Sequence, residues 1–526
     1  MFACKEEKKE EFMESKKILS LFLFVVIIIS MLTGCSGVTT GSNASSVIGS
    51  EKTVVIYIPD IFNTLNRYDT VALSDACVFN QVYETLVTID DSGNPLPCLA
   101  KSWEISSDGL EYTFHLVEDA KFHNGEMLKA SDVVFTYKYA KDFAAQNAFY
   151  SMVESAEVKD DYTVIIKLDI PTPLFLSHTQ QMPILNEKFV IENNNDISKV
   201  ACGTGPYKVV NFDPAIHVIL TRNDDYRLEP AKIKDVELRY VSDGSSAVVS
   251  LESGDIHFMS VPPVMAKTFM DNDKFTTLTT LPFYTSVIAM NINKEPFDNK
   301  IVRQAFSYAC DKQSIIDIAY EGFGTVARIQ AYTNSFGVDF TDAKDFSYNP
   351  EKAKNLLAEA GYPNGMNLTK EFGVHFITIP GTFHEKVAQV YQKNLADIGV
   401  TVELQNTQTP DEDVVSGNFA LMTQGATYRT DFSYNVVNYG TVGIGGLNYS
   451  QMSEPYVDEM FAKGASETEP DNRKAIYKEL IEYIIDLCPS IPIFHKQEIY
   501  VWTSYLNAVA HDSALFPYYV YEWSWK

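Results

Sequence analysis

The sequence predicts an α/β protein with two lobes and an additional α+β region. Its 526 residues exceed one ordinary domain, and its 46% apolar content is that of a globular protein with a large core. Amphipathic helical patterns alternate with β-branched runs in two stretches, and a strand-rich stretch separates them. The order of these stretches also indicates that the lobes share chain segments.

Strand patterns prevail in the first half of the chain. Thr53–Ile58 is a β-branched run that ends at a proline, which predicts the first core strand. Tyr112–Leu116 alternates apolar and polar residues, and the pair Asn124 and Gly125 is typical of a hairpin turn. The segment that follows predicts a helix with Ser131 as its N-cap.

Helical patterns prevail in the second half. Apolar residues spaced three and four apart predict a pair of helices over residues 301–319, in which we expect Arg303 to form a surface ion pair. Pro350 fits the first turn of a helix that stops at Gly361. Residues 470–486 form a strongly periodic pattern with the charges on one side, which predicts a long helix.

A secretion signal precedes the predicted folded part. Lys16 and Lys17 stand before the apolar run 18–32, which at fifteen residues is too short to span a bilayer. Small residues follow the run, and this order of basic, apolar and small residues is typical of a signal peptide. We therefore predict a signal peptide over residues 1–34, for which Met13 is a more plausible start than Met1 because the residues before it are unusually acidic.

The signal peptide ends at a sequence that resembles the lipobox of bacterial lipoproteins. This sequence is Leu32-Thr33-Gly34-Cys35, and its resemblance implies that Cys35 carries a diacylglyceryl group and becomes the N-terminus. The residues behind it are small and polar. Residues 35–51 are therefore predicted to be the lipidated cysteine and a flexible tether.

Charge and motif searches narrow the function classes. A formal net charge of −27 argues against a nucleic-acid partner, which requires a basic face. The sequence contains neither G-x-S-x-G nor H-E-x-x-H, so no hydrolase nucleophile or zinc-protease motif is present. We therefore predict no catalysis, no metal site and no cofactor, and keep a hydrolase only as the enzymatic alternative.

Five cysteines lie beyond Cys35, at widely spaced positions without any C-x-x-C motif. Neither a disulfide framework nor a zinc site follows from such spacing. Free thiols that pack as small apolar groups are the expected state, and a bridge between Cys77 and Cys98 is the alternative.

From Tyr83 the chain reads "YETLVTIDDSGNPLPCLAKSWEISSDGLEYTFHLVEDAKFHNGEMLKASDVVF". This stretch resembles the signature region of the family 5, or peptide/nickel, class of extracytoplasmic solute-binding proteins of ABC importers. The resemblance continues at "GTGPY", "SLESGDIHF", "MNINKEPFDNKIVRQAFSYACDKQSII", "YNPEKAKNLLAEAGY" and "PSIPIFHK". It covers nearly all of residues 54–526.

The resemblance implies a periplasmic-binding-protein-like fold of class II, cluster C. Such a fold is a two-lobed clamp with an additional α+β domain, and the lobes enclose the ligand by hinge closure. The resemblance places the additional domain at residues 83–199 and the second lobe at residues 294–491. It divides the first lobe among residues 52–82, 200–293 and 492–526.

The function implied by the resemblance is transport. The protein would be a monomer, held to the bacterial cell membrane on its extracytoplasmic side by the lipid. It would capture oligopeptides or dipeptides and deliver them to an ABC permease and its ATPase. Two alternatives use the same fold: a non-peptide solute, such as a nickel complex, a sugar or another anionic metabolite, and a role as a receptor for peptide signals.

The stretch that corresponds to the family's binding residues departs from the family pattern. Peptide-binding members meet the ligand α-amine with an aspartate in a stretch written roughly G-W-x-x-D-x-x-D-P. Here the stretch is "GATYRTDFSYNVVNYG", in which Arg429 stands about where that aspartate would be and Asp431 follows two residues later. An arginine cannot pair with an ammonium group, but it offers a planar fork to a carboxylate or phosphate.

Several interpretations of this departure remain open. In the first, Asp431 takes the amine, and Arg429 takes a ligand carboxylate or a lobe-bridging ion pair. In the second, the ligand is not a free-amine peptide; in the third, Arg429 pairs with an acid away from the cleft. Tyr428 would contribute a ring or hydroxyl contact, and Tyr150 or Phe149 would reach the cleft from the additional domain.

Overall fold

A computed structural model describes most of the chain after the predicted tether. The described residues are 52–90, 94–145, 149–280, 284–331, 344–427, 431–509 and 519–526. They belong to one compact unit that spans Glu51–Lys526. Within these ranges, none of the helices combines the length and the hydrophobicity that a membrane span requires.

The strands of the described ranges, in chain order, are β1 (Val54–Ile58), β2 (Val87–Ile89), β3 (Pro95–Pro97), β4 (Ala100–Ile105), β5 (Glu111–Leu116), β6 (Val153–Asp160), β7 (Thr163–Leu168), β8 (Tyr207–Asp213), β9 (His217–Arg222), β10 (Asp235–Tyr240), β11 (Phe258–Ser260), β12 (Phe275–Thr279), β13 (Tyr284–Met290), β14 (Gly324–Val326), β15 (Met366–Asn367), β16 (Phe376–Thr378), β17 (Val400–Thr401), β18 (Leu404–Asn406), β19 (Leu421–Thr427), β20 (Ser490–Lys496), β21 (Ile499–Thr503), β22 (Leu506–Asn507) and β23 (Ser524–Trp525).

The α-helices of the same ranges are α1 (Leu73–Val82), α2 (Ala130–Ala140), α3 (Phe175–Thr179), α4 (Glu187–Glu192), α5 (Gly244–Ser253), α6 (Pro263–Met270), α7 (Lys300–Tyr308), α8 (Lys312–Ala319), α9 (Pro350–Glu359), α10 (Leu368–Phe372), α11 (Phe383–Asp397), α12 (Pro410–Ser416), α13 (Val436–Tyr439), α14 (Pro455–Ser466) and α15 (Pro470–Leu487). Short 3₁₀ turns lie at Arg67–Asp69, Phe432–Asn435, Thr441–Gly443 and Val520–Glu522.

A seven-stranded sheet forms the centre of what we call the first lobe. Its strand order is β12-β21-β11-β1-β10-β9-β8. Strand β1 pairs in parallel with β10 and β11, while the outer strands pair antiparallel. Four of the five residues of β1 are buried, as expected for a β-branched strand covered on both faces. The predicted strand at Thr53–Ile58 is thus confirmed.

A six-stranded sheet forms the centre of the second lobe. Its order is β14-β20-β13-β19-β16-β18, in which β16 pairs in parallel with both β18 and β19. Helices α7, α8, α11 and α15 supply apolar faces to a continuous core with this sheet. The pair of helices predicted over 301–319 and the long helix predicted over 470–486 are confirmed as α7, α8 and α15.

A four-stranded antiparallel sheet, in the order β4-β5-β7-β6, forms what we call the insert domain. Its inner face carries Tyr112 and Phe114, and both rings pack against Phe175 of α3 with centroids 4.7 and 6.4 Å away. The predicted strand at Tyr112–Leu116 is confirmed as part of β5. Its alternation of buried and half-buried residues is the pattern of a sheet with one covered face.

The sheet to which each strand belongs indicates where the lobes begin and end along the chain. Strand β13 lies in the six-stranded sheet, and so does the whole of β20. The limits predicted from the resemblance extend this part of the first lobe to residue 293 and resume the first lobe at residue 492. These limits assign β13 and the last residues of β20 to the first lobe, although both strands lie in the sheet of the second lobe. The domain limits remain a proposal.

Two sequence expectations about single side chains are wrong. Helix α2 begins at Ala130, so Ser131 lies inside its first turn, and its start is capped by Asp132, which accepts from the backbone N–H of Lys129 at 2.9 Å. Arg303 is buried, and within the described ranges it forms no ion pair. It donates to the carbonyl oxygen of Phe297 at 2.7 Å and to that of Leu487 at 2.8 Å. The second bond forms because the end of α15 leaves unpaired carbonyls beside Arg303.

The motif Gly203-Thr204-Gly205 packs directly onto the end of α1. A Cβ at Gly203 would lie 2.0 Å from the carbonyl oxygen of Val82, and one at Gly205 would lie 2.6 Å from the carbonyl carbon. The Gly205 N–H donates to that same oxygen at 3.0 Å. Glycine is therefore required here for close backbone approach, where the chain returns from the insert domain to the first lobe.

The five cysteines of the described ranges are free thiols, as predicted. Cys202, Cys310 and Cys488 are buried, while Cys77 and Cys98 are half-buried and do not form a bridge. Burial raises the pKa of the Cys98 thiol to about 12, and the neighbouring Glu84 adds to this rise. The Cys98 thiol therefore remains protonated at neutral pH.

Candidate functional site

Two short chain segments connect the lobes side by side. One runs from β12 to β13 and the other from β20 to β21. The backbone N–H of Thr280 in the first donates to the carbonyl oxygen of Glu498 in the second, at 3.0 Å. Two adjacent connections of a few residues each are the kind of joint at which two lobes can close, and we call this pair of connections the hinge.

A cavity of about 520 Å³ lies between the lobes beside this hinge. The first lobe contributes residues that follow the carboxyl ends of its parallel strands, among them Pro59 after β1 and Pro262 after β11. Ligands of open α/β sheets bind at such carboxyl ends. The cavity therefore lies where the topology of the first lobe favours a ligand, and we call it the cleft.

The second lobe contributes an aromatic group to the cleft. Phe383, at the start of α11, is surrounded by the rings of Tyr320, Phe494 and Tyr284, with centroids 5.3, 6.0 and 6.2 Å away. The next residue, His384, stacks on Phe383 at 4.1 Å. Such clustered rings provide a broad apolar wall at little cost in conformational entropy.

His384 connects this wall to the hinge. Its Nε2 lies 3.2 Å from the hydroxyl of Tyr284, the first residue of β13. Burial, followed by the positive charge of Lys496, lowers the pKa of His384 from 6.5 to about 4. The imidazole is therefore neutral at neutral pH, so the wall carries no charge of its own.

Four charged side chains line the described part of the cleft: Glu321, Lys386, Lys496 and Glu498. Lys496, the last residue of β20, lies 2.6 Å from a carboxylate oxygen of Glu498 in the hinge. Both side chains of this pair keep about a third of their surface exposed, at 27% and 36%. The charges of the cleft therefore balance and remain accessible to a ligand.

Glu321 enters the cleft on a strained backbone. Its φ is +54°, and Gly322 follows with φ +86° at the end of α8. A glutamate rarely adopts a left-handed conformation, which costs of the order of 1 kcal/mol, and such strain is common at functional sites. The turn directs the chain from α8 to β14, and it brings Glu321 to the lining of the cleft.

The structure gives Asp431 a partner within the second lobe. Its carboxylate binds the guanidinium of Arg473 through two hydrogen bonds of 2.7 Å, and its Oδ1 also accepts from the backbone N–H of Ser433 at 2.8 Å. Asp431 and Arg473 are both buried. The role of Asp431 as an amine ligand remains a prediction, and a ligand ammonium would have to share this carboxylate with Arg473.

The other predicted site residues are placed as follows. Tyr150 is buried in the insert domain, and within the described ranges its hydroxyl has no hydrogen-bond partner. Tyr428, Arg429 and Cys35 lie outside the described residues. The predicted roles of these four residues remain predictions.

The insert domain contacts the second lobe close to Asp431. The ring of His178 in α3 lies 5.6 Å from Tyr434 of the second lobe and 5.7 Å from Phe149 of the insert domain. His178 is buried between them. Tyr434, three residues after Asp431, thus packs against the insert domain, and the sequence did not predict this role for His178.

The four charged residues of the cleft were also not predicted from the sequence. Lys496 ends the motif "PSIPIFHK", which we interpreted only as a sign of the fold. Glu321, Lys386 and Glu498 carry no local signal, because a charged residue in a turn or at a helix start is most often only solvated. Within the described ranges, no three His, Cys, Asp or Glu side chains are grouped so that they could hold a metal ion.

A sequence profile of the bacterial extracellular solute-binding proteins, family 5 Middle, matches residues 94–445, well over half of the chain. The chain belongs to this family. The family 5 proteins are extracytoplasmic solute-binding proteins of ABC transporters, and their fold is the two-lobed α/β clamp described above. The family is one of binding proteins and not of enzymes.

Several relatives of this family 5 protein extend over nearly the same length. The oligopeptide-binding protein AppA of Bacillus subtilis is 28% identical over 512 residues, which cover 90% of this chain and 92% of AppA. The glutathione-binding protein GsiB of Pectobacterium atrosepticum is 31% identical over 379 residues, 70% of this chain and 72% of GsiB. The solved structure of Bacillus subtilis AppA with a nonapeptide superposes with a TM-score of 0.75 at 25% identity, covering 90% and 99% of the two chains.

Proposed function

We propose that this family 5 protein captures a short peptide in the cleft between its lobes and delivers it to an ABC permease. The hinge closes the lobes over the ligand, and the ATPase that drives transport belongs to the permease complex. The observation that carries the proposal is the cleft itself, which lies at the carboxyl ends of β1 and β11, beside the two connections between the lobes.

The composition of the cleft favours a peptide over the alternative solutes. A peptide presents an ammonium group, a carboxylate and apolar side chains. The cleft offers glutamates for the first, lysines for the second, and the wall around Phe383 for the third. A purely anionic metabolite would contact Lys386 and Lys496 but would leave Glu321 and Glu498 without a cationic group, whereas a peptide offers a group for each.

The names of two relatives support the same ligand class. AppA is an oligopeptide-binding protein, and its structure holds a nonapeptide. GsiB is a glutathione-binding protein, and glutathione is itself a small peptide with a free amine. We propose the same class of ligand, a peptide, for this chain. The experiment below determines the length and sequence of that peptide.

We also propose that Cys35 anchors the protein by a diacylglyceryl group and that residues 36–51 act as a tether. The lipobox sequence and the small polar residues behind it support this assignment. A tethered clamp would remain close to its permease while it searches for ligand. The same anchor and fold would also permit a receptor role, and the relatives that are named as ABC transporter peptide-binding proteins are what favours transport.

The decisive experiment identifies the ligand directly. Mass spectrometry under non-denaturing conditions should detect the protein with bound peptides of mixed sequence. Denaturation releases these peptides for identification, and calorimetry should then show that they bind. If a broad peptide mixture does not bind while a non-peptide metabolite does, the proposal is wrong. A pair of peptides with a free and an acetylated N-terminus then separates the interpretations of Arg429, because only an amine-binding site rejects the acetylated peptide.

A further inference from the structure

The two lobes contribute chemically different walls to the cleft. Of its four charged residues, Glu498 lies in the hinge and the other three belong to the second lobe. None of the described lining residues of the first lobe is charged, and the polar side-chain groups among them are the hydroxyls of Tyr57 and Ser260. Five apolar or aromatic side chains of the first lobe line the cleft and keep exposed surface, and we call them the first-lobe wall: Tyr57, Pro59, Pro262, Pro263 and Val264.

Val264 is the aliphatic side chain of the first-lobe wall. It is the second residue of α6, directly after Pro262 and Pro263, and 67% of its surface is exposed. A single exposed valine is ordinary on a protein surface. This one stands beside two prolines in a cavity that Phe383 of the second lobe also lines, so it belongs to an apolar patch of the cleft.

The backbone of the first-lobe wall offers few donors to a ligand. The N–H of Val261 donates to the carbonyl oxygen of Ile499 at 2.9 Å. Pro262 and Pro263 have no backbone N–H, and the carbonyl oxygen of Pro262 already accepts from Met265 at 2.9 Å. Three successive residues therefore have no N–H left for a ligand, so this part of the wall contacts a ligand mainly through apolar groups.

The acids closest to the first-lobe wall do not line the cleft. Asp60 and Asp243 lie outside its described lining, and both are exposed. Burial raises the pKa of Tyr57, and these two charges add to the rise. Because both acids are hydrated, salt screens their charge at the wall. A charged ligand group placed against the wall would lose its water without a direct partner in the lining.

The second lobe also gives apolar surface to the cavity. Phe383 is half-buried within its cluster of rings, and Ala319 lines the same space. A ligand side chain that the closing lobes enclose here would be covered by apolar groups from both lobes. Burial of an apolar side chain is favourable, whereas a polar one of equal size would lose hydrogen bonds to water that these groups cannot replace.

We propose that the cleft selects peptides that carry a bulky apolar side chain, and that Val264 is the selecting residue of the first lobe. The charged residues hold the termini of the peptide. The apolar side chain lies between the first-lobe wall and Phe383 when the lobes close. This proposal rests on the peptide-binding function proposed above and adds a side-chain preference to it.

The test compares two peptide mixtures on the purified full-length protein, after co-purified ligand has been removed. Both contain random sequences from dipeptides to nonapeptides, built from glycine, alanine and a third residue. The third residue is leucine in one mixture and asparagine in the other, because these side chains have nearly the same shape and no charge. We expect mass spectrometry to find at least about tenfold more bound peptide from the leucine mixture.

The other outcomes of this comparison separate the two proposals. Equal capture from both mixtures would overturn the side-chain preference and leave peptide binding in place. A larger capture from the asparagine mixture would do the same. Capture from neither mixture would overturn peptide binding itself, and the preference with it.

Two variants assign the preference to the first-lobe wall. Val264→Asp places an acid in the first turn of α6, where it interacts favourably with the helix dipole, so the protein should fold. We expect it to weaken capture of the leucine mixture at least about tenfold, because a bound apolar side chain would desolvate the new charge. The matched control is Val249→Asp in α5, since Val249 is 63% exposed and lies outside the described lining of the cleft. Unchanged capture in Val264→Asp, or an equal loss in both variants, would overturn the role of Val264.

Discussion

Arg473 holds the carboxylate of Asp431 through two parallel hydrogen bonds, each 2.7 Å between nitrogen and oxygen. The two side chains are 5% and 2% exposed, so the ion pair is enclosed by the second lobe. Asp431 also caps the 3₁₀ turn Phe432–Asn435, which precedes α13. Arg473 of α15 thus fixes the start of this turn, whose Tyr434 contacts His178 of the insert domain.

Replacing Arg473 by methionine should destabilise the protein strongly. The substitution keeps most of the apolar stem but leaves the carboxylate of Asp431 buried without a partner. Loss of one member of a buried ion pair costs about 3–5 kcal/mol of unfolding free energy. Chemical denaturation of the whole protein, monitored by circular dichroism, measures this loss.

The double variant Asp431→Asn with Arg473→Met supplies the control. Once the acid is neutral, the missing cation matters less, so the double variant should be more stable than Arg473→Met alone. A single variant within about 1 kcal/mol of the unchanged protein would contradict the buried geometry. Ligand affinity of the double variant, if it folds, also tests whether Asp431 contacts the peptide amine.

The sequence predicted the segment around Asp431 but could not predict its partner. Asp431 and Arg473 are 42 residues apart, and the pairing depends on how α15 packs on the second lobe. A carboxylate in a family motif looks the same in sequence whether it faces a ligand or an arginine of its own chain. The fold was predictable because hydrophobic periodicity is local, while the pairing of charges is not.

Alanine at Gly205 should destabilise the junction between the insert domain and the first lobe. The added Cβ would lie 2.6 Å from the carbonyl carbon of Val82, which is backbone and cannot rotate away. Forcing an extra group into such a site costs about 1–3 kcal/mol or more, so the midpoint of thermal unfolding should fall by several degrees.

Gly244→Ala is the matched control for Gly205→Ala. The nearest atom to a Cβ at Gly244 is the hydroxyl of Tyr57, at 3.8 Å, which is an ordinary contact. We expect this variant to unfold within a degree or two of the unchanged protein. Equal loss of stability in both variants would show that close packing on α1 is not the reason for the glycine.

Acid should destabilise the folded state through its buried histidines. Burial lowers the pKa of His384 from 6.5 to about 4. Between these two values the unfolded chain binds a proton that the folded chain does not, so the free energy of unfolding falls as pH falls from 6.5 to 4. One such histidine contributes up to about 3 kcal/mol to this loss.

His384→Gln should reduce that acid sensitivity. The free energies of unfolding obtained from urea titrations at pH 7.5 and pH 4.5 should differ less in this variant than in the unchanged protein, by roughly 2 kcal/mol. His375→Gln serves as the control, because His375 is half-buried and precedes β16 outside the aromatic wall. An identical pH dependence in His384→Gln and the unchanged protein would show that this imidazole does not titrate as its burial requires.

The cleft itself could be located from the sequence only in outline. Its charged residues come from three places far apart in the chain: the turn after α8, the start of α11 and the end of β20. They meet only because β14, β20 and β13 are neighbours in one sheet. The motifs that announce the family are mostly packing residues, such as Gly203 and Gly205, and they therefore say little about the ligand.

Lys496→Ala should weaken peptide binding. The change removes a cation of the cleft and leaves Glu498 without its partner, so a ligand carboxylate would meet an unpaired acid. Loss of one charge-assisted hydrogen bond lowers affinity roughly tenfold or more. Calorimetry with the identified peptide measures the change, and Lys463→Ala, an exposed lysine of α14 away from the cleft, is the control. Equal affinities in both variants would remove Lys496 from the site.

Cys35→Ser should release the protein from the membrane without altering what it binds. The two acyl chains of a diacylglyceryl group hold a protein stably to the membrane. Without them, only weak attraction to the membrane surface remains. The folded core begins at β1, well after Cys35, so ligand affinity should not change. Membrane fractionation followed by calorimetry on the released protein measures both effects. Cys77→Ser changes a cysteine within α1 and should stay with the membrane, and a Cys35→Ser protein that also stays there would contradict the lipid anchor.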